Sequence, residues 1–425
     1  MNWGMDLNPN GRRSFLRKCT ALCLLTGSSG LPFTLKETSH QPHRIRVLDR
    51  ERVFVSGHTG AIRPIPDRFV HRLFPKLPEV PDTLEVNYPW KKENCAHFKE
   101  RALDGLGAIN DGILADGQNI LQIIPTTPTT PDTQSGSPLY KCWYRLSTDG
   151  GKNFTDFKLI VQDGNAPDYP VKGVKIGRNG YTIPLTSPFV KGSNGEILIP
   201  VHLHPWDEER QMIYNPADAY LFGDSGVLIG EWTADRSDLR WKFGEWLRID
   251  HRLSTRGLFE PSIVELSPGH FAMVMRGSNL KRPDLPSYAW LSFSSDYCRT
   301  WTTPKPFSYS DGQPFFVPAA CSTLFRSVFN QKLYWIGNIC DQNPSGNHPR
   351  YPLVMGRVDE KKFGLIRESV VVIDHRVANR EDLSVELSNY KILECPDTPE
   401  IVVAVTRREK GTWAKAPSWF QILLD

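Results

Sequence analysis

The chain has 425 residues and carries 51 Lys and Arg against 47 Asp and Glu, a formal charge of +4 at pH 7. That charge is small for the length and the basic residues are scattered, which argues against nucleic acid as a partner. With 34 Pro, 32 Gly, 12 Trp, 13 Tyr and 21 Phe, and no long run of helix formers at helical period, the composition favours many short strands joined by turns.

At the N-terminus, Arg12 and Arg13 precede an apolar run at 19–25 that is too short to span a bilayer. This stretch resembles a twin-arginine export signal. The resemblance implies that residues 1–37 direct export to the periplasm or the exterior, with no membrane span in the mature chain. Residues 38–103, punctuated by prolines and charges, read as an extended lead-in with one or two strands. Cys19 and Cys23 fall in the signal. The remaining Cys95, Cys142, Cys298, Cys321, Cys340 and Cys395 form no CxxC pair, so no zinc site is expected, and buried free thiols are expected in place of any named disulfide.

From about residue 104 onward, apolar runs such as 141–146, 196–203, 270–276 and 332–339 are separated by Gly, Pro, Asn and Asp. That spacing means an all-β sandwich, barrel or propeller. An internal repeat chooses among them. Ser147, Asp149 and Phe154 fit Ser-x-Asp-x-Gly-x-x-(Trp/Phe), as do Ser294, Asp296 and Trp301 with Cys298 in place of the glycine; Thr233, Asp235 and Trp241 make a degraded third copy. In such a turn the hydroxyl and carboxylate bond backbone N–H groups while the aromatic folds inward. These segments resemble the Asp-boxes (BNR repeats) of the sialidase, or neuraminidase, superfamily. The resemblance implies a β-propeller of four-stranded antiparallel blades over residues 104–425, and at about 50 residues per blade that length gives a six-bladed β-propeller, with five or seven blades as alternatives.

An Asp-box marks a fold, so the site must lie elsewhere. Glu260 opens one apolar run and Arg276 ends the next, with Pro268 and Gly269 between; a hairpin would bring the two ends together. The segment resembles the one in which a sialidase glutamate polarises the nucleophile and the second of three arginines grips the substrate carboxylate. Arg350, before Tyr351-Pro352-Leu353, matches the third. Arginine suits this role because its planar fork binds a carboxylate through two parallel hydrogen bonds. For the tyrosine nucleophile, the family position holds Leu387, and Tyr390 is the available substitute. The first arginine is missing from its usual place, with Arg63 as displaced counterpart, and Asp111 and Asp116 are candidates for the general acid by position. His204, followed by Trp206 and Asp207, offers acid/base chemistry or a sugar contact.

The eleven His form no HExxH-like pattern, no Gly-rich phosphate loop occurs, and no Gly-x-Ser-x-Gly elbow occurs, so neither a metal nor another cofactor is expected. The resemblance implies an exo-acting sialidase-like glycoside hydrolase on a terminal carboxylated sugar of a glycoconjugate. Two alternatives stay open: a non-catalytic propeller that binds acidic glycans, and an enzyme of altered chemistry on uronic-acid polysaccharide.

Overall fold

The computed structural model describes residues 46–51, 106–108, 112–116, 119–128, 140–149, 153–184, 187–379, 381–394, 399–414 and 418–424, all within the compact unit His43–Asp425. These residues contain no α-helix, and no helix among them is long and apolar enough to cross a membrane. Arg63 and Asp111 lie outside the described residues.

Among the described residues, five antiparallel sheets of four or five strands follow one another along the chain, with two two-stranded ribbons beside them. The first runs from Leu106–Ala108 and Gly112–Asp116 through Asn119–Pro128 and Lys141–Ser147 to Lys158–Leu159. The second holds Tyr181–Thr182, Val190–Lys191, Ile197–Leu203, Asp224–Trp232 and Leu239–Phe243. The third is Phe259–Ser267, His270–Arg276, Ala289–Ser294 and Lys305–Pro306. The fourth is built on Thr323–Arg326, Leu333–Asn338 and Leu353–Asp359. The fifth orders Tyr390–Glu394, Glu400–Val405 and Ser418–Leu423, and its last place is taken by Arg46–Glu51 from the other end of the chain. That strand comes from the segment read as lead-in.

Six blades of about 50 residues were expected; the described residues hold five sheets of four or five strands and two two-stranded ribbons, which does not establish six. The second sheet extends from Tyr181 to Phe243, and a long excursion that includes the ribbon Trp206–Asp207 with Met212–Ile213 separates two of its strands.

The hydrophobic cores lie between successive sheets. Ile197, Ile199 and Val201 face Leu121 and Tyr144 of the first sheet, while Leu198 on the opposite face joins Val227, Ile263 and Met273 toward the third. Period-2 alternation thus feeds two cores from one strand, which is why Ile197–Leu203 is buried at every position and reads as one apolar run. Val264 and Ala272 meet Leu324 and Trp335 in the next core, and Phe325 and Ile336 meet Tyr390 and Phe420 in the last. Each fully buried aliphatic or aromatic side chain contributes about 1.5–3 kcal/mol. Polar links cross the same seams: the Tyr144 hydroxyl bonds Asp238 at 2.7 Å, the Ser193 hydroxyl bonds Glu265 at 2.7 Å, and the Ser262 hydroxyl bonds the Leu324 carbonyl at 3.2 Å.

The three repeat segments form side-chain-closed turns. Asp149 accepts from the Ser147 hydroxyl at 2.8 Å and the Asn153 N–H at 3.0 Å. Asp235 accepts from the Thr233 hydroxyl at 2.6 Å and the Ser237 N–H at 3.1 Å. Asp296 accepts from the Ser294 hydroxyl at 2.7 Å and from the N–H groups of Arg299 and Thr300 at 3.0 and 2.9 Å. Cys298, standing where the pattern has glycine, is held at φ 66°, a left-handed conformation that costs a non-glycine residue about 1 kcal/mol or more. Its burial in the core between the second and third sheets, beside Trp301, supplies the compensation.

Candidate functional site

The hairpin Phe259–Ser267 with His270–Arg276 brings Glu260 and Arg276 together, as the sequence predicts. Phe259 pairs with Arg276, and the register then slips before Ser262 meets Val274. Glu260 sits in that bulge at φ 48°. A bulge re-aims side chains, and a left-handed non-glycine residue is strained by about 1–3 kcal/mol, a cost the site retains. Arg276 Nη1 donates to both carboxylate oxygens of Glu260 at 2.9 Å, and its Nη2 donates to Asn347 Oδ1 at 3.3 Å.

Burial alone would raise the Glu260 pKa. Arg276 first, then the neighbouring Cys321 thiol and His202, outweigh it and hold the group at about 2. Burial by itself would lower Arg276, yet the attraction of Glu260 raises it. Glu260 is therefore a carboxylate at neutral pH, able to act as a base or as an electrostatic partner and unable to donate a proton.

Arg350 is adjacent. Its Nη1 donates to Glu386 at 2.8 Å and Ser388 at 3.3 Å, Nη2 to the Ala319 carbonyl at 3.0 Å, and Nε to the Asn347 carbonyl at 3.1 Å. Asn347 thus bridges Arg276 through its side chain and Arg350 through its backbone. Glu386 also lies 3.3 Å from Arg408. Burial first, and the nearby charge of Arg276 second, depress the Arg350 pKa.

A third arginine completes the cluster and was missed in the sequence. Arg256 is 6% exposed; its Nε donates to the Leu221 carbonyl at 3.3 Å, and no carboxylate among the described residues comes within ion-pair distance. Burial and the charges of Arg276 and Arg350 push it down to about 9, so it remains a cation at neutral pH. Phe259 is its platform: Arg256 and Arg276 lie 4.9 and 5.9 Å from the ring centre, a favourable cation–π arrangement when desolvated. The ring centre of the exposed Tyr220 lies 5.5 Å from the Arg256 guanidinium.

Two glycines permit this packing. Gly223 N–H donates to the Arg256 carbonyl at 2.9 Å, a Cβ on Gly223 would lie 2.8 Å from the Phe259 ring, and one on Gly257, at φ 71°, would lie 2.2 Å from the Gly223 carbonyl oxygen. Only glycine allows the two backbones to meet there. The sequence signal was the Gly257 that follows Arg256 and shortly precedes Glu260, but nothing local ties Gly257 to Gly223.

His202 and His204 also pack on Phe259, with ring centres 5.1 and 5.5 Å away. His204 is 3% exposed and its Nδ1 bonds the Phe222 carbonyl at 3.0 Å; burial lowers its pKa to about 4. Asp207 is occupied with its own turn, accepting from the N–H groups of Glu209 and Arg210 at 3.1 and 3.0 Å. No His204–Asp207 pair forms, and His204 is neutral at neutral pH.

Tyr390 is 2% exposed. Its hydroxyl donates to the Ile336 carbonyl at 2.9 Å and lies 3.1 Å from Thr323 Oγ1, and burial raises its pKa. Leu387 is in the same core, and it is Ser388 that faces Arg350. As placed, the phenol is protonated and enclosed by protein, the reverse of what a nucleophile needs. Among the described residues no three His, Cys, Asp or Glu side chains come together as metal ligands, and Cys142, Cys298, Cys321 and Cys340 are free and buried.

No protein-family model matches the sequence, and no curated protein matches it. Among solved structures, the chain is similar to a Hadza microbial sialidase at 13% identity and a TM-score of 0.48, covering 75% of this chain and 53% of that one. It is similar to the NanB sialidase of Streptococcus pneumoniae at 11% identity and a TM-score of 0.47, covering 80% and 58%. It is also similar to a protein of unknown function from Dyadobacter fermentans at 15% identity and a TM-score of 0.48, covering 75% and 77%. The chain spans about half the length of the Hadza sialidase. At these identities the likeness to sialidases is one of fold alone.

Proposed function

We propose that this protein binds the carboxylate of a terminal acidic sugar on a glycoconjugate, with Arg256, Arg276 and Arg350 as the clamp. The observation that carries the reading is Arg256: a buried cation with no acidic partner among the described residues, beside two arginines that each already have one. An uncompensated buried charge is costly, and a ligand carboxylate would satisfy it. Arg350 and Arg276 are braced by Glu386, Glu260 and Asn347, which fixes the direction of their forks before a ligand arrives. In this reading Arg256 takes the place that Arg63 was expected to fill, and the five sheets are blades of a propeller closed by Arg46–Glu51.

Hydrolysis in the sialidase manner is the second reading, favoured by Glu260, an ionised carboxylate next to the clamp. It needs a nucleophile other than Tyr390 as that residue is placed, and an acid such as Asp111 beyond the described residues. Turnover of fluorogenic sialosides and uronides by the purified protein separates the two: release of fluorophore that is lost in Glu260→Gln supports an enzyme, and binding without release supports a glycan-binding protein. Export through Arg12 and Arg13 belongs to the same proposal. Lys at both positions should leave the protein in the cytoplasm, and unchanged export would count against it.

A further inference from the structure

We propose that His202 is a ligand-contacting residue that reads a hydroxyl of the bound sugar acid beside the carboxylate held by Arg256. The inference rests on the carboxylate-clamp reading and adds to it a residue and a chemical requirement on the ligand.

His202 lies in the strand Ile197–Leu203, between Thr182 and Ser225 on the neighbouring strands. Its ring packs 5.1 Å from Phe259, the same ring that carries Arg256 and Arg276. It is 8% exposed, and its Nδ1 is enclosed without a hydrogen-bond partner. Nε2 has none among the described residues either. His204, two residues on and packed on the same phenylalanine, makes the contrast, because its Nδ1 is bonded to a carbonyl. Buried polar groups in folded proteins are almost always paired, and an exception calls for an absent partner. Here the exception lies near Arg256, Arg276 and Glu260, whose charges act on the ring.

The protonation state narrows the partner. Burial, with His204, Arg276 and Arg256 nearby and only Glu260 acting in the opposite sense, lowers His202 to about 3. A neutral imidazole offers one donor and one acceptor. A carboxylate only accepts and is already served by the arginines, whereas a hydroxyl both donates and accepts. The ligand is therefore a hydroxylated carboxylic acid with a hydroxyl within hydrogen-bond reach of His202 when its carboxylate is on the clamp.

The test is calorimetric, using N-acetylneuraminic acid and glucuronic acid as hydroxylated acids and cyclohexanecarboxylic acid as the probe without hydroxyls. His202→Phe should weaken the better-binding sugar acid by about three- to tenfold, the worth of one neutral hydrogen bond, and leave cyclohexanecarboxylic acid unchanged. His202→Asn keeps a donor and an acceptor and should recover most of the loss. Should the Phe variant not fold, the wild type itself reports: the His202 ring resonances, assigned by their absence in His202→Asn, should shift with sugar acid and not with cyclohexanecarboxylic acid. Equal weakening of both classes, no weakening of either, or ring resonances that respond alike to both would show His202 to be structural, with the clamp reading intact. If the wild type binds none of the three acids, the clamp reading itself fails and His202 loses its role with it.

Discussion

The guanidinium of Arg256 lies 4.9 Å from the centre of the Phe259 ring, and that ring, with one backbone carbonyl from Leu221, takes the place of the acidic partner a buried arginine ordinarily has. Arg276 and Arg350 are each neutralised by a glutamate. The site therefore keeps one buried positive charge in excess, next to two pre-oriented forks.

A trade-off follows for Arg256. Replacing it by Met removes an uncompensated buried charge and keeps most of the side chain's volume, so stability should rise by about 1 kcal/mol or more, seen as a Tm higher by about 1 °C or more in a unit of this length. Binding of a carboxylated sugar should fall by about tenfold to a hundredfold, the worth of a charged hydrogen bond. Thermal unfolding and calorimetry on the same sample check both halves. A variant that loses stability while keeping affinity would assign Arg256 to the core.

Glu260 behaves in the opposite way. In Glu260→Gln the side chain keeps its shape but leaves Arg276 without its counter-charge, and breaking a buried pair from one side costs about 3–5 kcal/mol. The unfolding midpoint in denaturant should drop accordingly. The variant's remaining affinity for a free sugar acid should hold or rise, because the charge of Arg276 is then no longer neutralised and the ligand carboxylate can meet it. A neutral effect on stability would mean the pair is solvated and the site more open than its 10% and 16% side-chain exposures indicate.

The two histidines set an acid limit. Both have folded pKa values far below the ordinary 6.5, about 3 for His202 and about 4 for His204, burial being the first cause in each. The unfolded chain takes up protons below 6.5 and the folded chain does not, so the native state is at full strength above 6.5 and loses stability as pH falls toward the folded values. Between pH 7 and 5 the loss should reach about 4 kcal/mol for the pair. Glu260 adds little in that window, since its contribution is full above the ordinary 4.5 and is lost as pH falls from there through about 2. His202→Phe should roughly halve the slope of unfolding free energy against pH; an unaltered slope would show that His202 takes up its proton in the fold.

Much of the fold was readable because it is local. The turns at Asp149 and Asp296 are closed by side chains a few residues away, and the apolar runs are strands buried on both faces. Glu260 and Arg276 were paired from the sequence for the same reason: one turn through Pro268 and Gly269, the latter at φ 79°, fixes their hairpin. What was not readable is non-local. Arg256 enters the site because Gly257 meets Gly223, more than thirty residues earlier in the chain, and no periodicity encodes that contact. The surroundings of Tyr390 depend on which face of its strand meets Ile336 and Thr323. The number of blades is likewise not fixed by dividing length by a typical repeat, since connections such as the excursion within the second sheet vary in length.

The most direct test of the clamp keeps the protein unchanged and alters the ligand. Titration of the wild type with N-acetylneuraminic acid, and with the same sugar carrying an amide in place of the carboxylate, isolates the charge that Arg256, Arg276 and Arg350 are arranged to hold. The acid should bind more tightly than the amide by about tenfold to over a hundredfold, and Arg256→Lys should lose most of that preference because a single ammonium cannot reproduce the fork. Equal affinities for acid and amide would contradict the account, because a site that ignores the carboxylate is not a carboxylate clamp.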